Sequence, residues 1–308
     1  MSNLLLWQNQ DWEKFQNDLN HRSLRMSGFS NNPLLIIFKR FLGKNTAYIP
    51  RGPILSPNEI KDFFIQLKKL SKKHNLIFTR IDPEHELKIP KIIPFKKSHS
   101  VQPETTLILD LTLSEKDLLQ QMKRKGRYNI GLAQKKGIII KKARTDTEKN
   151  DFIKIFYKIL QETTQRDEFS AHNEDYYHKF LRNISGSEIF LAYYEDQPVA
   201  GGIFVYLKDV CIYYFGASSN THRELMTPYL LQWIAILEAK KRGCKVYDFL
   251  GIAPENAGKN HPWTGITDFK KKFGGVEIRY PRAVDIIHMP YWYKIYKLLK
   301  ILQRLIKK

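Results

Sequence analysis

The chain has 308 residues, of which 43% are hydrophobic and 13% aromatic, so it can form one large or two ordinary folded domains, and intrinsic disorder is excluded. A net charge of +20 at pH 7 predicts an anionic partner, which is nucleic acid, an anionic membrane or a phosphorylated substrate. The two cysteines, Cys211 and Cys244, adjoin apolar runs, so we expect buried free thiols and neither a disulfide framework nor a zinc–thiolate site.

The first half of the chain predicts strands that alternate with helices. Apolar runs predict strands at 34–41, 46–49, 76–82 and 106–111. Apolar residues at helical spacing predict a helix at 59–75, after Pro57, and a second helix is expected at 114–122. Residues 88–103 are rich in lysine and proline and are predicted to be irregular. The charged stretch 141–151 is the predicted boundary between the two halves.

The second half predicts a similar mixture. Helices are predicted at 152–163 and from 174, followed by strands at 189–195, 198–207 and 210–215 with polar turns, which is typical of a meander. A helix at 228–242 and a strand at 246–249 complete this half. A helix and then a strand ending in aspartate thus occur twice, at 59–82 and 228–248, which indicates two half-chains built on one plan. The fold class is therefore α/β, with mixed α+β content.

The C-terminal segment 291–308 has apolar residues at helical spacing, many lysines and no acid. This pattern predicts a basic amphipathic helix, either docked on the core with a solvated basic face or lying on an anionic membrane surface. The N-terminal apolar run is too short for a signal peptide, and no stretch of about 18 apolar residues is present. We expect a cytoplasmic protein whose membrane contact, if the second alternative holds, is peripheral and at the inner face of the plasma membrane.

The segment 261–275, HPWTGITDFKKKFGG, carries the clearest sequence indication of a site. Proline and glycine at its two ends predict a loop, which holds three consecutive lysines between two phenylalanines. A loop that presents a lysine favours an anionic or carbonyl substrate. The alternative is that the lysine run is only solvated.

Other site chemistries find no support in the sequence. The nine histidines show no paired metal-ligand spacing, so no metal is expected. Gly201 and Gly202 lie inside a predicted strand instead of at a strand-to-helix turn, which argues against dinucleotide or P-loop binding. No serine or histidine has the setting of a nucleophile elbow.

Short motifs along roughly 105–285 resemble, in order, those of the Fem family, the aminoacyltransferases that build peptidoglycan cross-bridges. They are Arg127-Tyr-Asn-Ile, Thr164-x-Arg166-Asp167, Tyr213-Tyr-Phe-Gly-Ala-Ser218, Pro228-x-Leu-Leu-Gln-Trp233, Tyr247-Asp248-Phe249-x-Gly251 and Phe269-Lys270-x-x-Phe273-Gly274. Each motif is weak alone, and their shared order carries the resemblance. Gln8 and Trp12 also fit a family pattern, whereas the lysine expected four residues later is Gln16, and Lys14 is taken as its substitute.

The resemblance implies two tandem acetyltransferase-like (GNAT-type) domains without a coiled-coil arm. They would be 1–147, completed by 279–308, and 148–278, which carries the catalytic loop. It also implies a monomeric enzyme that moves an amino acid from aminoacyl-tRNA, its co-substrate, to the stem-peptide amine of a peptidoglycan precursor. That precursor would be lipid-linked or UDP-linked, and no other cofactor is implied.

The resemblance also implies residue roles. Lys270 would neutralise the tetrahedral oxyanion or a nearby terminal tRNA phosphate, and the carbonyl of Phe269 would take up the amine's proton. Arg166 would pair with the precursor's phosphates, the alternative being an ion pair with Asp167 or Glu168. The other implied substrate-binding residues are Thr164, Tyr213, Lys14, Arg127 and Asp248. For the last of these, the alternative is a cap on the loop that follows its strand.

Two other functions remain open on the sequence alone. An N-acyltransferase that uses acyl-CoA or an acyl carrier would share the fold, but residues 223–228 lack the glycines of the usual pyrophosphate loop. A non-catalytic, basic RNA- or membrane-binding protein would account for the charge. It would leave the Phe269-Lys270 pair and Arg166 without a common purpose.

Overall fold

The computed structural model describes residues 4–29, 33–255, 257–258 and 261–306. The described chain falls into two compact units, and each has its own sheet. The first unit comprises the chain up to Glu104 together with the chain from Tyr280 onward, and the second unit is the continuous segment Thr105–Arg279.

The first unit is built on a six-stranded sheet in the order β1-β2-β3-β4-β13-β5, in which β3 and β4 are parallel. Its elements are α1 (Leu4–Trp7), α2 (Gln10–Asp18), β1 (Ser23–Met26), β2 (Leu34–Phe41), β3 (Lys44–Pro50), α3 (Glu59–Lys73), β4 (Leu76–Asp82), β5 (Phe95–Lys97), β13 (Val284–Ile287) and α10 (Pro290–Ile306). The predicted helix around α3 is confirmed, and it buries Phe63, Phe64 and Leu67 in the core of this unit.

The second unit is built on a seven-stranded sheet in the order β12-β6-β11-β10-β9-β8-β7. Its elements are β6 (Thr105–Asp110), α4 (Glu115–Gln121), α5 (Arg124–Lys135), β7 (Ile139–Lys142), α6 (Asp146–Asp167), α7 (Glu174–Asn183), β8 (Ser187–Tyr194), β9 (Gln197–Tyr206), β10 (Val210–Ser218), α8 (Thr227–Lys241), β11 (Val246–Gly251), α9 (Thr264–Lys270) and β12 (Val276–Arg279). The predicted meander is confirmed, since β8, β9 and β10 are consecutive antiparallel neighbours.

The predicted boundary at 147/148 is wrong, because the chain passes from one unit to the other after Glu104. β6 pairs with both β11 and β12, and β7 pairs with β8, so residues 105–147 belong to the second sheet. The charged stretch 141–151 is not a linker. α6 starts inside it with a capping box, in which Thr145 and Glu148 satisfy each other's backbone amides.

Both units contain a strand–helix–strand crossover between parallel strands, β3–α3–β4 in the first and β10–α8–β11 in the second. The expectation of two half-chains on one plan is therefore confirmed. The two copies differ at the carboxyl ends of the strands. β3 and β4 stay paired as far as Pro50 and Asp82, whereas β10 and β11 pair only as far as Ile212 and Asp248, although β10 continues to Ser218. The parallel strands of the second unit thus separate and leave an opening in the sheet.

The segment 261–275 is helical where a loop was predicted. Residues Thr264–Lys270 form α9, and a 3-10 turn, Lys271–Phe273, follows it. Gly274 and Gly275 follow, and both lie so close to neighbouring backbone that a side chain would not fit. Gly275 has φ +92° and a Cβ there would lie 2.3 Å from the Ile108 carbonyl oxygen, so only glycine lets the chain turn into β12.

The short strands β1, β5, β12 and β13 were not predicted. β5 lies in the segment 88–103, which was predicted to be irregular, and β13 joins it to β4. Such short strands have too little sequence period to be recognised and are fixed by tertiary pairing. The tail helix is confirmed as α10, while Lys307 and Lys308 at its predicted end lie outside the described residues.

Candidate active site

Lys270 is the last residue of α9 and is buried, with 6% of its surface exposed. Its Nζ donates a hydrogen bond to the carbonyl oxygen of Gly251, at the end of β11, over 2.7 Å. The same Nζ lies 5.7 Å from the centre of the Tyr213 ring on β10. Lys270 therefore sits where β10 and β11 have separated, in contact with both strands, and it is not a member of a solvated lysine run.

Its two neighbours in the run behave differently. Lys271 forms an ion pair with Glu277 at 2.5 Å, and Lys272 donates to the carbonyl of Asp268 at 3.1 Å. Both are partly exposed. Of the three consecutive lysines, Lys270 alone turns its ammonium group into the protein.

Burial sets the protonation of Lys270. Removal from water lowers its pKa from 10.5 to about 7, because a desolvated ammonium loses hydration, and the charge of Asp248 opposes this effect only in part. At neutral pH the charged and neutral forms are therefore both populated. A lysine poised in this way can supply a positive charge or exchange a proton during a reaction.

Asp248 is completely buried near the end of β11. Its Oδ1 accepts hydrogen bonds from the Thr106 hydroxyl on β6 and, over 2.7 Å, from the backbone amide of Leu250. The second contact is the loop cap that the sequence left as one alternative. Asp248 thus shapes the strand end, and its charge acts on Lys270 from within the sheet.

Tyr213 forms the other side of the opening. Its ring stacks on Phe204 with 5.5 Å between ring centres, and its hydroxyl makes no hydrogen bond to a residue that the structure describes. Burial raises its pKa, so the phenol keeps its proton and can donate it. Gly216 makes this orientation possible, because a Cβ there would lie 1.6 Å from the Tyr213 hydroxyl oxygen.

Phe269 contributes packing and a backbone carbonyl. Its ring lies 5.0 Å from that of Tyr229 and 5.5 Å from that of Phe273, which fixes α9 against the core. Its carbonyl oxygen accepts a hydrogen bond from the amide of Lys271. A carbonyl oxygen has two lone pairs, so it can accept more than one hydrogen bond beside Lys270.

Thr267 is a residue that the sequence reasoning missed. Its hydroxyl donates to the carbonyl of Trp263 at 2.6 Å and accepts from the amide of Ala253 at 2.8 Å. These bonds join α9 to the loop after β11 and thereby hold Lys270 at its depth. Thr267 stands three residues before Lys270 on one helix face, and that spacing could have suggested the link.

Arg166, at the C-terminal end of α6, is fully engaged in this structure. Its guanidinium binds both carboxylate oxygens of Asp167 and, at 2.9 Å each, the Ser218 carbonyl and the Asn220 side chain. The alternative ion pair with Asp167 is therefore present. Ser218 lies five residues beyond Tyr213 on β10, so Arg166 and Lys270 attach to one strand roughly 16 Å apart.

Thr164 and its neighbour Thr163 differ in their hydrogen bonds. The Thr164 hydroxyl bonds only to its own helix, at the carbonyl of Gln161 over 2.8 Å. The buried Thr163 makes the long-range contacts instead, donating to the Ser218 carbonyl at 2.9 Å and accepting from the Ser218 amide at 3.0 Å. Thr163 therefore anchors this motif to β10.

The last two predicted residues do not join the opening. Arg127 donates to backbone carbonyls at the end of α4, including those of Leu119 and Met122, and so it acts as a helix cap where substrate binding was predicted. Lys14 is exposed on α2 in the first unit. The predicted lysine position is Gln16, which is buried and bonds to His21 at 2.9 Å.

Within the described chain, no group of three or more His, Cys, Asp and Glu side chains is placed to hold a metal ion. None of its helices is both long enough and apolar enough to cross a bilayer.

The crossover in each sheet, together with the separated strands in the second unit, defines a fold of two tandem GNAT-type domains. More specifically, the chain belongs to the FemAB family, whose sequence pattern matches residues 93–195 and 182–301. The crystal structure of FemX superposes on it with a TM-score of 0.79 at 18% identity, covering 94% of each chain, and shows the same fold.

Two curated relatives give the enzyme class. A lipid II:glycine glycyltransferase of Staphylococcus haemolyticus is 20% identical, in an alignment that covers 78% of this chain and 76% of that protein. The aminoacyltransferase FemA of Staphylococcus epidermidis is 22% identical, in an alignment that covers 88% of this chain and 85% of that protein. The chain is accordingly an enzyme of the transferase class.

Proposed function

We propose that the chain transfers an amino acid from aminoacyl-tRNA to the stem-peptide amine of a peptidoglycan precursor. The observation that carries the proposal is the buried Lys270, which lies at the opening between β10 and β11 and bonds to the end of β11. Membership of the FemAB family and the glycyltransferase relatives support this reaction class.

The proposed reaction needs positioning and charge more than covalent catalysis. The amine attacks the ester carbonyl, the new C–N bond forms, the ester C–O bond breaks, and the amine's proton ends on the released ribose hydroxyl. An aminoacyl ester is already activated, so holding the amine near the carbonyl supplies up to about 7–11 kcal/mol. The Phe269 carbonyl is suited to bind the amine's N–H during the attack.

Lys270 would act through its charged form. An ammonium group aimed at the developing oxyanion stabilises it strongly in a site that excludes water, and removing such a group typically costs about 10²–10³-fold in rate. Arrival of the negative charge raises the pKa of a lysine, so the group that is half-charged when empty becomes charged as the reaction proceeds. We propose that the Tyr213 hydroxyl, which lies at the same opening, binds the acceptor.

We further propose that Arg166 and Thr164 contact the phosphates of the precursor. Arg166 would exchange part of its contact with the partly exposed Asp167 for phosphate, which a planar guanidinium can bind with two parallel hydrogen bonds. The acceptor we propose is the lipid-linked precursor, because a relative is named for lipid II. Transfer would then take place at the cytoplasmic face of the membrane.

The test combines purified protein, a mixture of aminoacyl-tRNAs and either lipid II or a UDP-linked muropeptide, with product mass as the readout. The expected result is a mass increase of one amino acid residue, which identifies the donor and the acceptor together. Acetyl-CoA in place of charged tRNA serves as the comparison. Acylation from the coenzyme, with none from tRNA, would show instead the N-acyltransferase activity that shares this fold.

The matched variants are Lys270→Met and Lys272→Met. Both remove one positive charge from the same lysine run, but only the first removes the buried ammonium. We expect Lys270→Met to lower kcat at least 100-fold and Lys272→Met to leave it within about two-fold. Equal activity of the two variants would refute the role of Lys270.

A further inference from the structure

Helix α10 is attached to the first unit by its first half only. Tyr293 is buried, donates a hydrogen bond to Asp285 at 2.8 Å and packs edge-on against Phe78. Beyond Tyr296, Leu299 is partly buried, whereas the other apolar side chains that the structure describes face solvent. The exposed ones are Leu298, Ile301, Leu302 and Leu305. Their spacing of three and four residues places them on one stripe, which extends for about 10 Å along the helix.

The tip of the β2–β3 hairpin lies beside this helix. The ring of Phe41 is 4.9 Å from that of Tyr296, and Lys44 Nζ lies 5.1 Å from the centre of the Trp292 ring. Between these contacts, Leu42 at the turn is exposed. The hairpin thus adds an exposed apolar side chain, Leu42, to the same unit from a distant part of the sequence.

The two segments that form this surface carry only positive charges. Neither 34–50 nor 290–306 contains an aspartate or glutamate. Desolvation, and then the charges of Lys300 and Arg80, lower the pKa of Lys39 on the hairpin, so Lys39 lies within electrostatic range of the helix. The basic residues of this surface are Lys39, Arg40, Lys44, Lys294, Lys297 and Lys300.

We propose that this α10 surface, formed by α10 from Lys294 onward and the 39–44 hairpin tip, binds an anionic lipid bilayer. The helix would lie in the plane of the interface, with its leucine and isoleucine side chains about 5–10 Å deep at the acyl boundary. The lysines would reach anionic headgroups, each contributing on the order of a five-fold gain in binding.

Neither of the other occupants fits both features. A nucleic acid would neutralise the lysines but would leave the apolar stripe without an apolar partner. A second copy of the chain would cover the stripe but would bring two wholly basic faces together, which like-charge repulsion opposes. A bilayer with anionic lipids satisfies the stripe and the charge at once.

The first experiment is co-flotation of the full chain with vesicles of phosphatidylcholine alone or mixed with phosphatidylglycerol. We compare Leu302→Glu with Ile65→Glu, since both residues lie on helices of the same unit and are 44% and 43% exposed. On mixed vesicles we expect Leu302→Glu to weaken binding at least ten-fold and Ile65→Glu to leave it within about two-fold. Equal loss for both variants would overturn the proposal.

The second experiment tests the charges. Lys294→Gln/Lys297→Gln/Lys300→Gln is compared with Lys68→Gln/Lys69→Gln/Lys72→Gln, three exposed lysines of α3 in the same unit. The α10 triple variant should lose on the order of 100-fold in binding to mixed vesicles, and the α3 variant much less. Tight binding of wild type to neutral vesicles, or equal losses in the two triple variants, would contradict an anionic-lipid site.

The competing occupants give separate outcomes. If the α10 variants abolished tRNA binding and left vesicle binding unchanged, the surface would be a nucleic-acid site, and if they only converted a dimer into a monomer, it would be a self-interface. Either result overturns the proposal. The proposed transfer reaction is tested separately, because transfer to lipid II held in neutral detergent micelles, without an anionic bilayer, depends on Lys270 and not on this surface.

Discussion

Replacing Lys270 with methionine is expected to stabilise the second unit at neutral pH while removing transfer activity. The folded-state pKa of about 7 lies below the ordinary value of 10.5, so the unfolded chain binds the proton more tightly. Below pH 7 this difference in pKa lowers the free energy of unfolding by about 5 kcal/mol, and the loss disappears as the pH rises through 10.5. Wild-type stability should therefore increase with pH between 7 and 10.5, because the unfolded state holds more protons in that window.

Methionine fills a similar volume without a charge, so the variant avoids this cost. It also leaves the Gly251 carbonyl without its partner, which costs about 1–3 kcal/mol. The net expectation is a gain of about 2–4 kcal/mol at pH 6–7. At pH 10 the gain should vanish or change sign, because the cost of burying the lysine has then fallen to about 1 kcal/mol, no more than the cost of the lost Gly251 hydrogen bond.

The assay is urea unfolding at pH 6, 7, 8.5 and 9.5, read by hydrogen-exchange mass spectrometry on peptides from β10 and β11. Reading the second unit alone avoids treating a chain of two compact units as a single two-state system. A variant that is less stable than wild type by the same amount at every pH would show that Lys270 is solvated in the folded protein. The claim that burial lowers the pKa of Lys270 would then be wrong.

Three further predictions, which use four substitutions, separate structural from chemical roles. Gly275→Ala should destabilise the second unit by at least about 2 kcal/mol, because the new Cβ would meet a strand carbonyl and φ is positive there. Gly265→Ala, with open space around the new Cβ, should stabilise it by about 0.5–1 kcal/mol. The midpoints of urea unfolding compare the two variants, and similar midpoints would contradict the close approach at Gly275. Arg127→Ala should cost about 1–2 kcal/mol in urea unfolding with the acceptor KM unchanged, and a raised KM would restore its predicted binding role. Asp248→Asn removes the charge that raises the pKa of Lys270, so the fall of kcat/KM with loss of the lysine's proton should move to lower pH, and an unmoved profile would show that the two groups are uncoupled.

Much of the second unit could be predicted because its signals are local. The strands of the meander have clear apolar runs with polar turns, and α8 ends at a glycine, so each was recognisable alone. The two crossovers were indicated by one repeated order of elements. Short β5 and β13 could not be predicted, because β13 pairs with β5 and with β4 across about 190 and about 205 positions of sequence.

The site was only partly readable for a related reason. Lys270 stands in a run of three lysines, and nothing in the composition distinguishes the buried one. Its burial depends on the tie between Thr267 and Ala253 and on the separation of two strands, which are tertiary features. Arg127 illustrates the opposite case. It belongs to a motif of the family, but in the structure it caps the neighbouring helix α4. The wrong domain boundary near residue 147 has a similar cause. The capping box at Thr145 marks the start of a helix, but the charged composition of the stretch obscured it.

The return of the C-terminal segment to the first unit has a consequence for folding during synthesis. The second unit is continuous, so it can complete its sheet as soon as residue 279 has left the ribosome. The first unit is synthesised earlier but must wait, because β13 is the strand between β4 and β5. Until residues 284–287 emerge, the β4 edge stays unpaired and open to wrong partners. The amino-terminal part of this protein therefore begins first and finishes last, and its assembly is the step at which a folding chaperone would have the most to protect.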